Sequence, residues 1–481
     1  PCVSFTPPRV RERDAMWTAR SLIFVGLASQ AFGVWRRESE SLEGAQGTLM
    51  LDGLARQYGV RFHEAYGPSN CLEGTGKKCI AMVALSSLLR HENATRLDGE
   101  VGDFLCGTMM NAAFHIERLK QKKQEKPESS PYTYDYILMH DETIPHRELA
   151  VIRELGGRTL RLSDSVKRLA CRGMVNAGMP ENKDLTEEYC DRATFDLNHF
   201  SRGQMIQFVQ HLKLAAVTLT QYDSIVFTDN DAFVTEENEL RRELDYFFAK
   251  PQMQLMALYG YSSPINAGHW VARPNLTAVQ YWLEDLQEGF TTKEGWNHAG
   301  KVVPRPAGDR YTRDQPLEPS HWRFCGANRD QGLMFHVWSV KMGAYYAMGQ
   351  RAMRIAEWKI HPEEANLHFV DGHFGCYNRA KIQHFAGGMK PWNYGSCETK
   401  NPCHRQWIGN LAADGAKLMR ENPVLKANDF LQRQCLPALE SNARGCGGGG
   451  LACHWPLVQT LNDNVSSGNK DVPERDPADC W

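Results

Sequence analysis

The chain has almost no excess charge of either sign, with a formal net charge of −2 over 481 residues. This balance gives no reason to expect nucleic acid or a strongly acidic protein as a partner. No internal repeat is evident, and low-complexity sequence is confined to the glycine run 447–450. The composition, 42% hydrophobic and 23% charged, is that of an ordinary globular protein long enough to bury a full core.

A long apolar run is also missing. The stretch from Leu22 to Val34, within Met16–Trp35, is too short and too interrupted by Ser29 and Gln30 for a membrane span. Its flanking arginines are typical of a signal peptide or a short signal anchor, and the alternative is a helix of the mature protein. We predict that residues 1–75 form a targeting and stem segment.

Cysteine, by contrast, is abundant. Fourteen cysteines are many for a cytosolic protein, and Asn-x-Ser/Thr sequons occur at Asn93, Asn275 and Asn464. Together they favour the secretory pathway, in the Golgi or ER lumen or after secretion.

One short stretch combines a strand pattern with acidic residues. The β-forming run Ser224–Thr228 ends in Asp229-Asn230-Asp231. Two carboxylates at positions i and i+2 start on the same side of the chain, so both can reach one divalent cation. A plain polar turn explains the same three residues, because Asp and Asn are common in turns.

Strand and helix patterns alternate through the middle of the chain. This alternation predicts an α/β fold with a mostly parallel sheet covered on both faces. Strands are predicted at Lys78–Leu85, Tyr134–Met139, Arg158–Leu162 and Gln254–Tyr259, helices at Phe104–Leu119, Pro145–Leu155 and Gln204–Thr220, and a solvated loop at Lys120–Pro131.

Four motifs resemble the glycogenin-like family of retaining glycosyltransferases. The run Lys213–Val234 resembles the family's helix and Asp-x-Asp strand, and His384–Tyr394 (HFAGGMKPWNY) matches its HxxGxxKPW motif. Between them, Asn266-Ala267-Gly268 and Asp330-Gln331-Gly332-Leu333 resemble its N-x-G and DQG-L steps. The resemblance covers about residues 78–395. It implies a Rossmann-like GT-A glycosyltransferase domain over 76–395, followed by a cysteine-rich extension over 396–481.

The resemblance implies a metal site with Mn²⁺ or another divalent cation. His384 would join Asp229 and Asp231 as a ligand, since manganese sites mix carboxylate and imidazole. Such a cation neutralises the departing diphosphate. Gly387 would allow close approach of phosphate, and Lys390 would add a point charge. On its own, His384 would more often be a structural histidine.

The resemblance also assigns a UDP-sugar site. The residues implied to bind the nucleotide-sugar, beyond Gly387 and Lys390, are Leu85, Ser86, Phe104, Lys213, Asn230, Asn266 and Gly268. Phe104 stands where the family usually has a tyrosine that stacks on uracil, so it keeps the stacking face without the hydroxyl.

Asp330 and Gln331 are the candidate catalytic residues. A double displacement needs a carboxylate beneath the anomeric carbon, and Asp330 is the candidate by position. The family often has another acid three residues earlier, where this chain has Ala327. A front-face reaction, in which the leaving diphosphate deprotonates the acceptor, needs no enzyme nucleophile. The sequence leaves both routes open.

The function implied is a Mn²⁺-dependent retaining glycosyltransferase. It would move a hexose, pentose or uronic acid from a UDP-sugar to a glycan, protein or lipid acceptor. The insert Glu288–Asn328 is the candidate acceptor loop, and the alternative is a solvated insertion with no role. A homodimer and membrane attachment through the N-terminus are further expected associations. The alternatives are a self-glucosylating initiator of the glycogenin type and a non-catalytic sugar-nucleotide-binding or structural protein on the same fold.

The C-terminal extension contains six cysteines: Cys397, Cys403, Cys435, Cys446, Cys453 and Cys480. Their spacing does not match zinc knuckles. An even set in a secretory protein predicts a disulfide-stapled cap, with pairings that sequence cannot resolve.

Overall fold

The computed structural model describes residues 52–58, 62–66, 71, 76–88, 100–125, 130–176, 182–192, 200–234, 237–251, 253–257, 265–291, 294–299, 322, 326–342, 369–371, 382–385, 390–398 and 402–446. The predicted targeting segment Met16–Trp35 and the sequons at Asn93 and Asn464 lie outside these residues, as does most of the predicted acceptor loop. Within the described ranges, no helix combines the length and apolarity that a membrane crossing requires.

The secondary structure alternates between strands and helices through most of the chain. The strands are β1 (His63–Tyr66), β2 (Lys78–Ser86), β3 (Tyr132–His140), β4 (Arg158–Leu162), β5 (Ser224–Thr228), β6 (Ala232–Val234), β7 (Leu255–Ala257), β8 (His269–Ala272), β9 (Phe290–Thr291), β10 (Gly295–Trp296), β11 (Phe369–Asp371) and β12 (Ile382–His384).

Helices α1 to α12 accompany these strands. They are α1 (52–58), α2 (Glu100–Glu125), α3 (His146–Glu154), α4 (Asp164–Asn176), α5 (Glu187–Asp191), α6 (Arg202–Leu212), α7 (Glu237–Phe248), α8 (Leu276–Glu288), α9 (Asp330–Phe335), α10 (Pro402–Glu421), α11 (Pro423–Lys426) and α12 (Leu436–Cys446).

The main sheet has seven strands in the order β1-β4-β3-β2-β5-β8-β7. The central strands β4, β3, β2 and β5 are parallel, whereas β1, β8 and β7 pair antiparallel at the two sides. All five residues of β5 are buried, so both faces of the sheet are covered there. The predicted fold class, α/β with a mostly parallel central sheet, is confirmed.

A small second sheet brings distant parts of the chain together. Strand β12 pairs antiparallel with β6 and parallel with β11, in the order β11-β12-β6. Because β6 follows β5 after a short turn, this pairing carries the histidine motif to the end of the central strand β5.

Some residues of the predicted stem segment 1–75 contact the main sheet. Strand β1 pairs with β4 at the edge of the main sheet, and Cys71 forms a disulfide with Cys79 of β2. A four-residue edge strand is too short to give a clear sequence pattern, which is why this segment was expected to be loosely packed.

Two predicted helices have different bounds in the structure. Helix α2 continues to Glu125, into the stretch that was predicted to be a loop. The helix expected over Gln204–Thr220 ends at Leu212 and tightens into a 3₁₀ helix over Lys213–Thr218. In this tighter turn the Lys213 side chain is buried.

The extension is helical, and its described part packs on the sheet domain. Cys397 pairs with Cys446, as a stapled cap predicts. Cys435, however, pairs with Cys106 of α2. The prediction that the six cysteines of the extension pair only with one another is therefore wrong. The extension packs against α2, which places Cys435 beside Cys106.

The sequon at Asn275 is part of a helix start. Its side-chain oxygen accepts hydrogen bonds from the backbone N–H groups of Thr277 and Ala278, at 2.9 and 3.3 Å. Its amide nitrogen donates to Gln254 Oε1 at 3.1 Å. Asn275 is therefore an N-cap residue of α8, and its amide nitrogen is engaged.

Candidate metal centre and its surroundings

Asp229 and Asp231 lie in the turn between β5 and β6. The N–H of Ala232 donates to Asp229 O at 2.9 Å, and Asp229 N–H donates to Gly268 O at 2.8 Å. Asn111 of α2 donates to the carbonyls of Asp229 and Ala232, at 3.1 and 2.9 Å. The segment is thus a hydrogen-bonded turn that also presents two carboxylates. The polar-turn interpretation and the cation-site interpretation of the sequence are therefore compatible.

His384 reaches the same place from the small sheet. It ends β12 opposite Ala232, and the next residue, Phe385, donates its N–H to Asp231 O at 2.8 Å. His384 Nε2 lies 3.2 Å from Asp231 Oδ1. Ligand atoms of Asp229, Asp231 and His384 all lie within 4.8 Å of one another.

Gly268 provides the space that His384 occupies. A Cβ added to Gly268 would lie 2.7 Å from His384 Cε1 and 3.0 Å from its Nε2. The Gly268 N–H also donates to Asn266 Oδ1 at 2.8 Å, which fixes the Asn266 side chain beside the histidine. Gly268 and Asn266 of the N-x-G motif therefore pack next to His384 of the histidine motif.

We predict that Gly268→Ala displaces His384 and weakens Mn²⁺ binding at least ~10-fold, the scale of lost support for a metal ligand. Electron paramagnetic resonance of free Mn²⁺ in a titration measures this affinity. Gly203→Ala is the matched control, since a Cβ there has no atom within 4 Å in the described structure. Equal Mn²⁺ affinities for the two variants would contradict the prediction.

Lys213 bridges two carboxylates beneath the site. Its Nζ lies 2.7 Å from Asp229 Oδ1 and 2.7 Å from Asp330 Oδ2. Burial lowers the pKa of the Lys213 ammonium, but the two carboxylates outweigh burial and hold that pKa above its ordinary value. Burial raises the pKa of Asp229; Lys213 offsets part of the rise, and Asp231 adds to it.

Lys390 occupies the other side of the aspartate pair. Its ammonium contacts Asp231 Oδ2 and the carbonyl oxygen of Phe385. Burial raises the pKa of Asp231, but Lys390 and His384 outweigh burial and hold that pKa below its ordinary value. The structure thus brings Lys390 of the KPW motif onto a predicted metal ligand.

Asp330 and Gln331 begin helix α9 next to Lys213. Asp330 is buried, and its Oδ1 accepts from the Gln331 N–H at 2.8 Å. Gln331 Oε1 is buried and has no hydrogen-bond partner in the described part of the chain. The same is true of Asn230 Oδ1, whose amide nitrogen donates to Leu85 O at 3.0 Å. Two amide oxygens in this region are therefore acceptors that no described residue uses.

Leu85, Ser86 and Phe104 lie beside the aspartate turn. Leu85 connects to it through Asn230, and Ser86 Oγ is 2.6 Å from Thr108 Oγ1. Thr108 donates in turn to Phe104 O at 3.0 Å, and Phe104 is 39% exposed. Gly387 lies outside the described residues. The other predicted site residues form two groups around β5. Leu85, Ser86 and Phe104 make up one group, and Asn230 links it to the group that contains the metal-ligand candidates.

Several residues that support the site belong to no sequence motif. Tyr136 donates to Asn111 Oδ1 at 2.9 Å, and His115 Nε2 accepts from the Val234 N–H at 3.2 Å. Burial lowers the pKa of His115 to about 3, so the ring is neutral and can accept this bond. Gly107 of α2 faces the Trp392 ring. Polar residues on an apolar helix were a weak signal, and nothing in sequence linked them to β6.

The donor set fits a divalent cation. Two carboxylates and an imidazole are ligands that Mn²⁺ accepts, and their atoms are already gathered without backbone rearrangement. Their negative charge is balanced by the Lys213 and Lys390 ammonium groups. A site that attracts cationic side chains to partly buried carboxylates has the electrostatics of a cation site.

No protein-family model matches the chain. The chain is similar to glycogenin-1 from Caenorhabditis elegans, with 21% identity over 268 residues. This match covers 52% of the chain and 49% of glycogenin-1, about half the length of that relative. It agrees with the resemblance that the motifs predict, at the level of a glycosyltransferase relative.

Among solved structures, the chain is similar to the mannosyltransferase PcManGT from Pyrobaculum calidifontis in complex with GDP-Man and Mn²⁺. The identity is 9% and the TM-score is 0.25, over 90% of this chain and 91% of that one.

Proposed function

We propose that the chain is a retaining glycosyltransferase that requires Mn²⁺ or a similar divalent cation and takes its sugar from a UDP-sugar. The observation that carries this proposal is the convergence of Asp229, Asp231 and His384 at the end of a buried central strand. In open α/β sheets, ligands bind outside the carboxyl ends of the parallel strands, which is where these residues lie.

The protein groups around the triad suit a nucleoside diphosphate sugar. Asp229, Asp231 and His384 would hold the cation, which would neutralise charge on the leaving diphosphate. Lys390 has the reach to pair with a phosphate oxygen, as its contact with Asp231 illustrates. The side-chain oxygens of Asn230 and Gln331 would accept hydrogen bonds from ribose or sugar hydroxyls, which would satisfy two buried acceptors that have no partner among the described residues.

The contacts of Asp330 favour the front-face reaction, which needs no enzyme nucleophile. Its carboxylate pairs with Lys213 at 2.7 Å and accepts a backbone N–H at the start of α9. Both interactions stabilise the anion and reduce its tendency to attack carbon. In this proposal Asp330 orients Lys213 and the donor sugar, and the leaving diphosphate takes the acceptor proton.

The lumen of the secretory pathway is the proposed location. Eight cysteines of the described residues form the pairs Cys71–Cys79, Cys106–Cys435, Cys171–Cys190 and Cys397–Cys446. Disulfides persist in oxidising compartments, which supports a Golgi, ER or secreted protein. The proposed acceptor is accordingly a glycan, protein or lipid of that pathway, and the initiator of a cytosolic storage polysaccharide is the less favoured alternative.

A donor screen tests the proposal. The full chain is incubated with UDP-glucose, UDP-galactose, UDP-xylose and UDP-glucuronate, with Mn²⁺ or with EDTA, and released UDP is measured. Release from at least one donor, dependent on Mn²⁺, is expected. A mass increase of the protein itself would support the self-glucosylating alternative. No turnover of any donor, together with no metal-dependent UDP binding, would contradict the proposal and leave a structural protein on the same fold, whereas UDP binding without turnover would leave the sugar-nucleotide-binding alternative.

A further inference from the structure

A short turn carries Lys390 into the site. Asn393 N–H donates to Lys390 O at 3.0 Å, which closes the turn around Pro391 and Trp392. The Trp392 ring is buried against α2, because a Cβ at Gly107 would lie only 2.6 Å from Trp392 Cζ2. The position of the Lys390 backbone therefore depends on what holds this turn.

Asn442, on helix α12 of the extension, holds the turn from the other side. Its Nδ2 donates to Pro391 O at 2.8 Å and to Asn393 O at 2.7 Å. These carbonyls flank Trp392, so one amide group fixes the turn on both sides of its anchoring ring. These two hydrogen bonds require two N–H donors on one atom, which an Asn provides and an isosteric Asp does not.

A covalent link joins the same two segments. Cys397, in the 3₁₀ helix that follows the turn, forms a disulfide with Cys446 at the end of α12. Cys435 connects the preceding part of the extension to Cys106 of α2, the helix that also contacts Trp392. The turn lies between α2 and α12, and the disulfide Cys106–Cys435 links α2 covalently to the extension that contains α12.

We infer that the C-terminal extension completes the nucleotide-sugar site, with Asn442 as the residue that positions the Lys390 turn. The identity of the bound group as a diphosphate rests on the proposed function. The positioning itself rests on the contacts of Asn442, which lies 51 residues beyond Pro391 and outside the four sequence motifs.

The test compares the full chain with Asn442→Asp and a matched control, Asn428→Ala. Asn428 also lies in the extension and is 2% exposed, as Asn442 is, but it contacts Leu431 and Glu148 instead of the turn. Hydrogen exchange of residues 390–398 is expected to rise in Asn442→Asp and to stay unchanged in Asn428→Ala. If Asn442→Asp does not fold, a Cys397→Ser, Cys446→Ser double variant is expected to give the same rise.

Nucleotide binding provides the second readout. With Mn²⁺ present, UDP affinity is expected to fall roughly tenfold in Asn442→Asp, the scale of losing two neutral hydrogen bonds. UMP affinity should change much less, because UMP lacks the second phosphate. Unchanged exchange of residues 390–398, or equal losses for UDP and UMP, would overturn the inference. Absence of UDP binding by the wild-type chain would refute the proposed function, and the exchange result would still decide the role of Asn442.

Discussion

Asp231→Asn is expected to abolish metal-dependent UDP binding. The change removes one of the two carboxylates of the triad, and an amide oxygen is a much weaker ligand than an anion for a divalent cation. Loss of an outer-shell partner already costs 10–100-fold in metal affinity, so loss of a direct ligand should cost at least ~100-fold. Calorimetric titration with UDP, in Mn²⁺ and in EDTA, measures the effect.

Asp223→Asn is the matched control for Asp231→Asn. Asp223 lies just before β5, at the opposite end of the strand, where its Oδ2 accepts from the Cys79 N–H at 2.7 Å. The same carboxylate-to-amide change there should leave Mn²⁺-dependent UDP binding intact. Unchanged binding by Asp231→Asn would show that the proposed ligand set is wrong.

Lys213→Met is expected to lower the free energy of unfolding by about 3–5 kcal/mol, the usual cost of removing one partner of a buried ion pair. The variant keeps the side-chain length but leaves Asp229 and Asp330 without the ammonium that now lies 2.7 Å from each. Urea unfolding in EDTA measures the loss. Added Mn²⁺ should restore part of it, because a cation that binds only the folded state stabilises that state.

Lys167→Met provides the comparison for Lys213→Met. Lys167 is also buried, and its ammonium contacts Glu142 and Asp164, but both carboxylates are more than a third exposed and remain solvated without their partner. The cost should therefore be about 1 kcal/mol or less, and added Mn²⁺ should not restore it. If the two variants lost equal stability with equal responses to Mn²⁺, the electrostatic account of Lys213 would fail.

The local signals predicted the central part of the fold. Strands β2, β3 and β5 are long or strongly apolar, and these three and β4 lie close to their predicted ranges. Strand β1 has four residues and pairs with β4 far along the chain, so its place depends on tertiary contacts that leave no local pattern. The long-range disulfide Cys106–Cys435 is unpredictable for the same reason.

In the candidate site too, sequence motifs predicted some residues, and others depend on tertiary contacts. The Asp-x-Asp and histidine motifs predicted residues that the structure gathers within 4.8 Å. The residues that support them are spread over other elements: Asn111 holds the aspartate turn from α2, and Asn442 holds the lysine turn from α12. An isolated asparagine has no spacing signature, so only the folded arrangement identifies such partners.

The central claim is that Asp229, Asp231 and His384 form one divalent-cation site that serves a nucleoside diphosphate. Crystals grown with Mn²⁺ and UDP, measured for anomalous scattering near the manganese edge, test it most directly. We predict an anomalous peak bonded to all three side chains, with the UDP diphosphate adjacent. UDP bound with no peak among these residues, or Mn²⁺ bound only elsewhere, would contradict the claim.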